Sequence, residues 1–227
     1  MKIGIIGMGN MGSAISNALT DYEVVGFDQG DEILGDCDVY FLCVKPQALE
    51  TVEFPDLKDK VVVSILAGTS IEKVQEQLGD AKLMRLMPNL CASIGRSINA
   101  YMCEDSLVDL AEELFRKFGK PFRVSNESDF NYITPLFGSG PAHMLYFLRS
   151  MKEFGDHIDV TEDLLIELMA STAEWVSKDG RNFDELIAAV TSKGGTTERV
   201  HEKWEDLDVH DYIVTGLEAG RKKEENF

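Results

Sequence analysis

The chain has 227 residues, 44% of them hydrophobic, enough to bury the core of one large domain or two modest ones. Its 22 Lys and Arg stand against 40 Asp and Glu, a net charge of −18, which argues against the basic footprint of a nucleic-acid binder and against an anionic membrane surface. No apolar run of about 18 residues predicts a membrane span, the N-terminus lacks the pattern of a signal peptide, and Cys37, Cys43, Cys91 and Cys103 form no C-x-x-C pair, so the expectation is a cytoplasmic protein with reduced core thiols, no disulfides and no metal site.

Lys2 to Ile6 reads as a short buried strand that runs into Gly7, Gly9 and Gly12, spaced G-x-G-x-x-G, with a helical pattern from Ser13 to Leu19 behind them. In a strand–turn–helix context each glycine has its own physical reason. The first allows a tight turn, the second close approach of backbone to a pyrophosphate, and the third close packing of helix on strand. The helix N-terminus then faces the phosphates. Gly7, Met8, Gly9, Asn10, Met11 and Gly12 are the candidate cofactor cradle; the alternative is a merely glycine-rich turn. Glu23 to Asp28 is a second strand. Asp28 lies about 20 residues past the first glycine, where a carboxylate accepts from the ribose 2′-hydroxyl of NAD and repels the 2′-phosphate of NADP. The next basic residue is Lys45, so the cofactor expectation is NAD(P)H, leaning to NADH.

Asp38 to Val44 is a third strand, closed by Lys45-Pro46; Lys60 to Leu66 is a fourth, closed by Ala67-Gly68; Leu83 to Met87 is a fifth, closed by Pro88 and Asn89. Near-continuous apolar strands alternating with helices predict a parallel sheet covered on both faces. Ser70 is a candidate N-cap for the helix that follows, although Lys73 holds the capping-box position. Ser106 to Gly119 is an amphipathic helix with Gly119 suited to its C-terminal cap, and Pro121 to Val124 a last strand. Beyond about Asn126 helical periodicity takes over, at Asp129 to Leu136, Met144 to Phe154, Thr161 to Lys178 with Thr161 as N-cap, Phe183 to Thr191, and Tyr212 to Lys223. Residues 1–125 are expected to form a dinucleotide-binding domain and 126–227 a helical domain.

VKPQ at Val44 to Gln47, RLMPN at Arg85 to Asn89, FGSGPAH at Phe137 to His143 and TSKGGTT at Thr191 to Thr197 follow the opening glycines in that order. Together these motifs resemble the pyrroline-5-carboxylate reductase family over nearly the whole chain. The resemblance implies an α/β Rossmann-type N-terminal domain followed by an all-α dimerisation domain. It implies reduction of 1-pyrroline-5-carboxylate to L-proline by hydride from NAD(P)H, and a homodimer from which larger rings can be built. The active site would lie between the nicotinamide of one subunit and helical segments that include the partner's. By the same resemblance Val44, Lys45 and Pro46 pass the cofactor ribose and nicotinamide, while Ala67, Gly68 and Asn89 end strands on that edge. Lys45 is either a phosphate or ribose contact or a solvent-facing lysine in a turn.

TSKGGTT carries two glycines among hydroxyls, a loop whose N–H groups can converge on an anion without a basic side chain. That suits an acidic protein with an anionic substrate; the alternative is a capped helix–helix turn. The resemblance assigns the substrate carboxylate to Ser192, Gly194, Gly195, Thr196 and Thr197, and sets Thr197 beside the ring nitrogen, with Ser192 and Thr197 as the catalytic pair. Glu127 aligns approximately with a substrate-side acidic residue, or is a surface glutamate at a helix start.

The chain departs from the family at three places. Only nine residues separate Asp28 from Asp38, too few for the helix and strand usually found there, so the adenosine side of the fold is shortened. Lys193 stands where proline is usual, and His143 where tyrosine is common. A reductase of another cyclic imine or carbonyl, and a nucleotide-binding regulatory protein without turnover, are the alternatives that remain on sequence alone.

Overall fold

A computed structural model describes residues 1–225. Its first part is a seven-stranded sheet: β1 (Lys2–Ile6), β2 (Glu23–Phe27), β3 (Val39–Leu42), β4 (Val61–Ser64), β5 (Lys82–Met87), β6 (Ser97–Cys103) and β7 (Gly119–Arg123), in the spatial order β2-β1-β3-β4-β5-β6-β7. The first five strands are parallel, with Ile3 opposite Val24 on one side and Val39 on the other. Helices α1 (Asn10–Ala18), α2 (Ile71–Leu78) and α3 (Val108–Phe115) cover the faces. Alternation along the strands splits the core in two. Ile3, Ile5, Phe41, Val63 and Met84 pack with Ile15, Leu114 and Phe115 of α1 and α3. Ile6, Tyr40, Leu42, Val62 and Leu83 pack with Val74 and Leu78 of α2.

Several sequence expectations change here. The sheet is not wholly parallel, because β6 enters antiparallel to β5, with Met84 opposite Cys103. The sequence expectations include no strand over Ser97–Cys103, where Ser97 and Asn99 are buried with internal partners: Asn89 N–H donates to Ser97 Oγ (2.9 Å) and Asn99 Nδ2 to the Phe115 carbonyl (2.8 Å). Gly119 does not cap α3, which ends at Phe115 with Arg116 as its cap. It opens β7 instead, where a Cβ would stand 2.0 Å from the Ser97 carbonyl oxygen. Ser70 does cap α2, accepting from Lys73 N–H at 3.1 Å.

The shortened connection after β2 holds neither helix nor strand between Phe27 and Val39. Buried Tyr40 pins it from below: its hydroxyl donates to the Leu34 carbonyl (2.6 Å) and accepts from Cys37 N–H (3.1 Å). Gly4 makes room for that ring, since a Cβ there would lie 2.7 Å from it.

After β7 every regular element among the described residues is helical: α4 (Phe130–Ile133), running into a π-helical turn (Thr134–Gly138), then α5 (Gly140–Gly155), α6 (Glu162–Asp179), α7 (Phe183–Val190), α8 (Thr196–Asp206) and α9 (Val209–Glu225). Thr161 is the N-cap of α6 by position, without a side-chain capping bond among the described residues. The described residues cluster into two compact units, 1–141 together with 219–225, and Ala142–Glu218. These divide the chain at a different place from the strand-to-helix change near 125, because α4, the π turn and the end of α9 group with the sheet. Within the second unit only Leu165 and Leu186 are buried apolar side chains, while Leu145, Tyr146 and Leu164 stay more than 60% exposed. No described helix is long and apolar enough to cross a membrane.

Candidate functional site

The strand order reverses at β1: β2 lies on one side of it and β3 on the other. The loops leaving these strands diverge, and the crevice beyond their carboxyl ends is where open α/β sheets take ligands. A cleft of about 680 Å³ occupies that place, bounded by Gly7 and Gly9 after β1, Asp28 after β2 and Val44 and Lys45 after β3. Two of the three glycines have a steric reason within the fold. Gly7 has φ +97, and a Cβ there would press the Cys43 carbonyl at 2.9 Å. At Gly12 a Cβ would stand 2.0 Å from the Gly7 carbonyl oxygen, so α1 sits on β1 only because that position is bare. At Gly9 a Cβ would meet nothing within 4 Å, so the protein itself gives no steric reason for glycine. Gly9 is also the N-cap of α1, in extended conformation and without a side-chain cap. The N–H groups of Asn10, Met11 and Gly12 follow it in the first turn of α1, a ready anion site. Ser13 ties the turn by donating from Oγ to the Met8 carbonyl (3.0 Å). These residues fit a dinucleotide.

The rim of the cleft is acidic. Asp28 is exposed, its Oδ1 accepting from Gln29 N–H (3.0 Å), while Asp31 accepts from Asp28 N–H (2.7 Å). With Glu53 these carboxylates face a single lining cation, Lys45. Pro46 opens a 3-10 turn at its first position, with Lys45 as the N-cap. Cys43 lines the same cleft, and burial pushes its thiol well above the ordinary range.

On the next strands the expected site residues have internal duties. Gly68 ends the β4 segment with φ +62, and its N–H donates to Glu224 Oε1 at 2.7 Å. Asn89 is buried; its Oδ1 caps the following turn by accepting from Cys91 N–H (3.0 Å) and its Nδ2 donates to the Phe137 carbonyl (2.9 Å). It therefore acts on the loop rather than reaching out of it. Glu127 is likewise engaged: its Oε1 accepts from Arg85 Nη1 (2.9 Å) and from Ile71 N–H (2.7 Å) at the start of α2. Buried Arg85 also lies 3.6 Å from Glu224 and 4.4 Å over the Phe130 ring. Neither Arg85, inside the RLMPN motif, nor Glu224, inside a charged tail, carries a sequence signal for this contact.

In the second unit the TSKGGTT loop joins α7 to α8. Gly194 has φ +72. At Gly195 a Cβ would crowd Ser192 Oγ at 2.6 Å, and its N–H donates to the Ser192 carbonyl (2.9 Å). Thr196 and Thr197 open α8, whose N-cap is Gly195 without a side-chain cap. The Gly194 N–H donates to Glu198 Oε2 at 2.6 Å, so this loop holds a carboxylate from its own helix. Lys193 is exposed in the same loop, and His143 is exposed in the first turn of α5. Gly138 packs against Met87, whose sulfur a Cβ would approach to 3.1 Å, whereas Gly140 has open space; only the first glycine of that motif serves close packing. No group of three or more His, Cys, Asp or Glu is placed to hold a metal ion among the described residues.

Residues 127–227 match the family described as pyrroline-5-carboxylate reductase dimerisation. A pyrroline-5-carboxylate reductase of Aquifex aeolicus (strain VF5) is 31% identical over 230 residues, covering 87% of this chain and 86% of the relative. That of Glycine max is 32% identical over 192 residues, covering 79% and 70%. Among solved structures, the 1-pyrroline-5-carboxylate reductase of Streptococcus pyogenes superposes with a TM-score of 0.87 at 26% identity, covering 100% of this chain and 99% of the other. The Plasmodium falciparum pyrroline carboxylate reductase with NADP bound gives a TM-score of 0.90 at 21% identity, covering 100% and 97%.

Proposed function

This chain belongs to the pyrroline-5-carboxylate reductase family, and on that premise we propose that it reduces 1-pyrroline-5-carboxylate to L-proline with NADH, the last step of proline synthesis. The observation that carries the reading is the cradle at Gly7, Gly9 and Gly12, where the middle glycine is bare toward open space. The N–H groups of Asn10, Met11 and Gly12 would hold the pyrophosphate with the Met8–Gly9 backbone. Val44, Lys45 and Pro46 would border the ribose, Ala67 and Gly68 would leave room for the nicotinamide, and Asn89 fixes the loop after β5. The substrate carboxylate binds Ser192, Gly194, Gly195, Thr196 and Thr197; Glu198 on the Gly194 amide supports this, being a carboxylate already on such a donor. The bonds of Glu127 to Arg85 and to the start of α2 favour a positioning role over contact with substrate.

The cofactor, when bound, supplies the hydride that reduces the C=N carbon. The chain orients the ring by its carboxylate and excludes water. A ring nitrogen protonated by solvent is the better hydride acceptor, and the Thr197 hydroxyl hydrogen-bonds that nitrogen without acting as a strong acid. Oxidation of NADH on addition of 1-pyrroline-5-carboxylate tests the reaction; cofactor binding without oxidation refutes it. Asp28, flanked by Asp31 and Glu53, supports NADH over NADPH. A kcat/KM about tenfold higher with NADPH reverses that preference.

The exposed apolar side chains of the second unit support a homodimer through the helical segment 126–227. Light scattering showing a monomer would overturn it. Free thiols at all four cysteines support a cytoplasmic location.

A further inference from the structure

We propose that Glu224 is a positioning residue of the reductase site: its buried carboxylate fixes the Gly68 turn that follows β4, and with it the surface that would border the nicotinamide. The inference rests on the reductase reading above and goes beyond it in naming a residue near the end of the chain. Glu224 is 5% exposed and lies 156 positions from Gly68 in sequence. One oxygen, Oε1, takes the Gly68 N–H at 2.7 Å and the Thr134 hydroxyl at 2.9 Å, and stands 3.6 Å from Arg85 Nη2. Gly68 is in the left-handed region at φ +62, in the turn beyond the last residue of β4, Ser64. Glu224 is the acceptor that meets its N–H.

The same carboxylate joins a wider strap. Arg85, on the neighbouring strand β5, reaches from Glu224 to Glu127, and Glu127 in turn receives the first N–H of α2. The turns that leave β4 and lead into α2 are thereby held from two sides by two carboxylates sharing one guanidinium. α9 is seated closely enough to deliver Glu224, since a Cβ at Gly220 would stand 3.0 Å from Pro135. Thr134, the second donor, opens the π turn that continues to Gly138.

Stability alone is a poor reason for this arrangement. A buried carboxylate is costly to desolvate, and well-packed apolar residues commonly serve a core as well or better. A charged acceptor on a single backbone N–H does something an apolar side chain cannot, which is to fix the direction of that N–H and the conformation of its peptide. A nicotinamide must lie within a narrow range of distance and tilt for hydride transfer. The pyrophosphate cradle is built from other strands, β1 to β3, so Glu224 should govern turnover and leave the adenosine end alone.

The experiment uses the full chain with Glu224→Ala, Glu224→Gln and Thr134→Val. It measures kcat and KM with NADH and 1-pyrroline-5-carboxylate, the thermal midpoint, and the Kd of ADP-ribose, which fills the pyrophosphate cleft without a nicotinamide. Glu224→Ala should lower kcat about tenfold or more while ADP-ribose affinity stays within about twofold. Glu224→Gln keeps an acceptor oxygen for Gly68 and Thr134 and should return kcat to within about threefold of the wild type. Thr134→Val, which leaves the carboxylate in place but removes one of its donors, should lower kcat about threefold with ADP-ribose affinity unchanged; it decides the matter if Glu224→Ala does not fold. An unaltered kcat in Glu224→Ala or Thr134→Val overturns the inference. So does a kcat loss matched by an equal loss of ADP-ribose affinity, or a glutamine variant no better than alanine. A wild-type chain that never oxidises NADH with this substrate removes the reductase reading and the inference together; an active wild type with an equally active Glu224→Ala removes the inference alone.

Discussion

Alanine at Gly9 and alanine at Gly12 should produce opposite phenotypes, although the two residues lie three positions apart in one motif. At Gly12 the new Cβ would sit 2.0 Å from the Gly7 carbonyl oxygen and 3.2 Å from Ile5, against an ordinary heavy-atom contact of roughly 3.5 Å. A backbone oxygen cannot rotate away, so α1 must retreat from β1. Overpacking of this kind costs about 3 kcal/mol at its upper range, and alanine's better helix propensity returns about 1 kcal/mol. The net loss of about 2 kcal/mol should lower the thermal midpoint by about 4–8 °C for a chain of this size. At Gly9 the methyl meets nothing within 4 Å, and φ −69 with ψ −165 suits any residue. The midpoint should fall by about 1–2 °C, the cost of a poorer N-cap. On the proposed cofactor assignment the same methyl would stand where the pyrophosphate approaches the backbone, and overpacking there of about 1–3 kcal/mol would weaken NADH binding by about 5–150-fold. Differential scanning calorimetry of the free protein and a fluorescence titration with NADH separate the two effects. Gly9→Ala unfolding as early as Gly12→Ala, or binding NADH as tightly as the wild type, would refute the assignment of the middle glycine to a ligand.

Two further outcomes follow from side chains outside the cradle. Glu198→Ala frees the Gly194 N–H that now donates to Glu198; with an exposed hydrogen bond worth about 1 kcal/mol no longer competing, the substrate KM should fall about twofold to fivefold in steady-state assays. A KM that stays level or rises would mean this amide does not receive the substrate carboxylate. Tyr22 donates to Glu113 Oε1 at 2.6 Å, and burial first, then that carboxylate, pushes its phenol up from 10.0 to about 12. The folded state therefore favours the protonated phenol. The stability this contributes is whole below pH 10.0 and is lost as the pH rises through about 12. Thermal midpoints measured across that window should fall less steeply in Tyr22→Phe than in the wild type; parallel curves would contradict the assignment.

The features legible in the sequence were those that depend on local spacing. Gly7, Gly9 and Gly12 announce a strand, a turn and a helix start within a few residues, and Ser70 caps α2 as its position before Ile71 suggests. What stayed hidden depends on partners far along the chain. Ser97 and Asn99 look out of place in a buried strand until Asn89 and Phe115 supply their hydrogen bonds. Gly119 suits a helix cap equally well until the Ser97 carbonyl is seen where its Cβ would lie. Glu224 sits in a run of charged residues that reads as solvated surface, and only the return of α9 to the first unit takes it into the core. Tyr40 is plainly a core residue by pattern, but its hold on the shortened loop through Leu34 and Cys37 has no sequence signature.

Net charge sets a last condition on how this protein gathers its ligands. With 40 acidic against 22 basic residues and an acidic rim at Asp28, Asp31 and Glu53, its long-range field repels an anionic dinucleotide, whether NADH or NADPH. The short-range donors proposed for the pyrophosphate, backbone N–H groups at the start of α1, would act only after the cofactor has entered the cleft. The two contributions respond differently to salt. At about 0.01 M ionic strength the screening length is about 30 Å and the repulsion extends across the domain; at about 0.1 M it shrinks to about 10 Å, while contacts at hydrogen-bond distance are little affected. Raising salt over this range should therefore speed NADH association several-fold in stopped-flow fluorescence, and leave the dissociation rate nearly constant. Sites that steer anions with a basic surface show the reverse. An association rate that falls with salt would show that Lys45 and other cations, rather than amides in a repulsive field, bring the cofactor to its site.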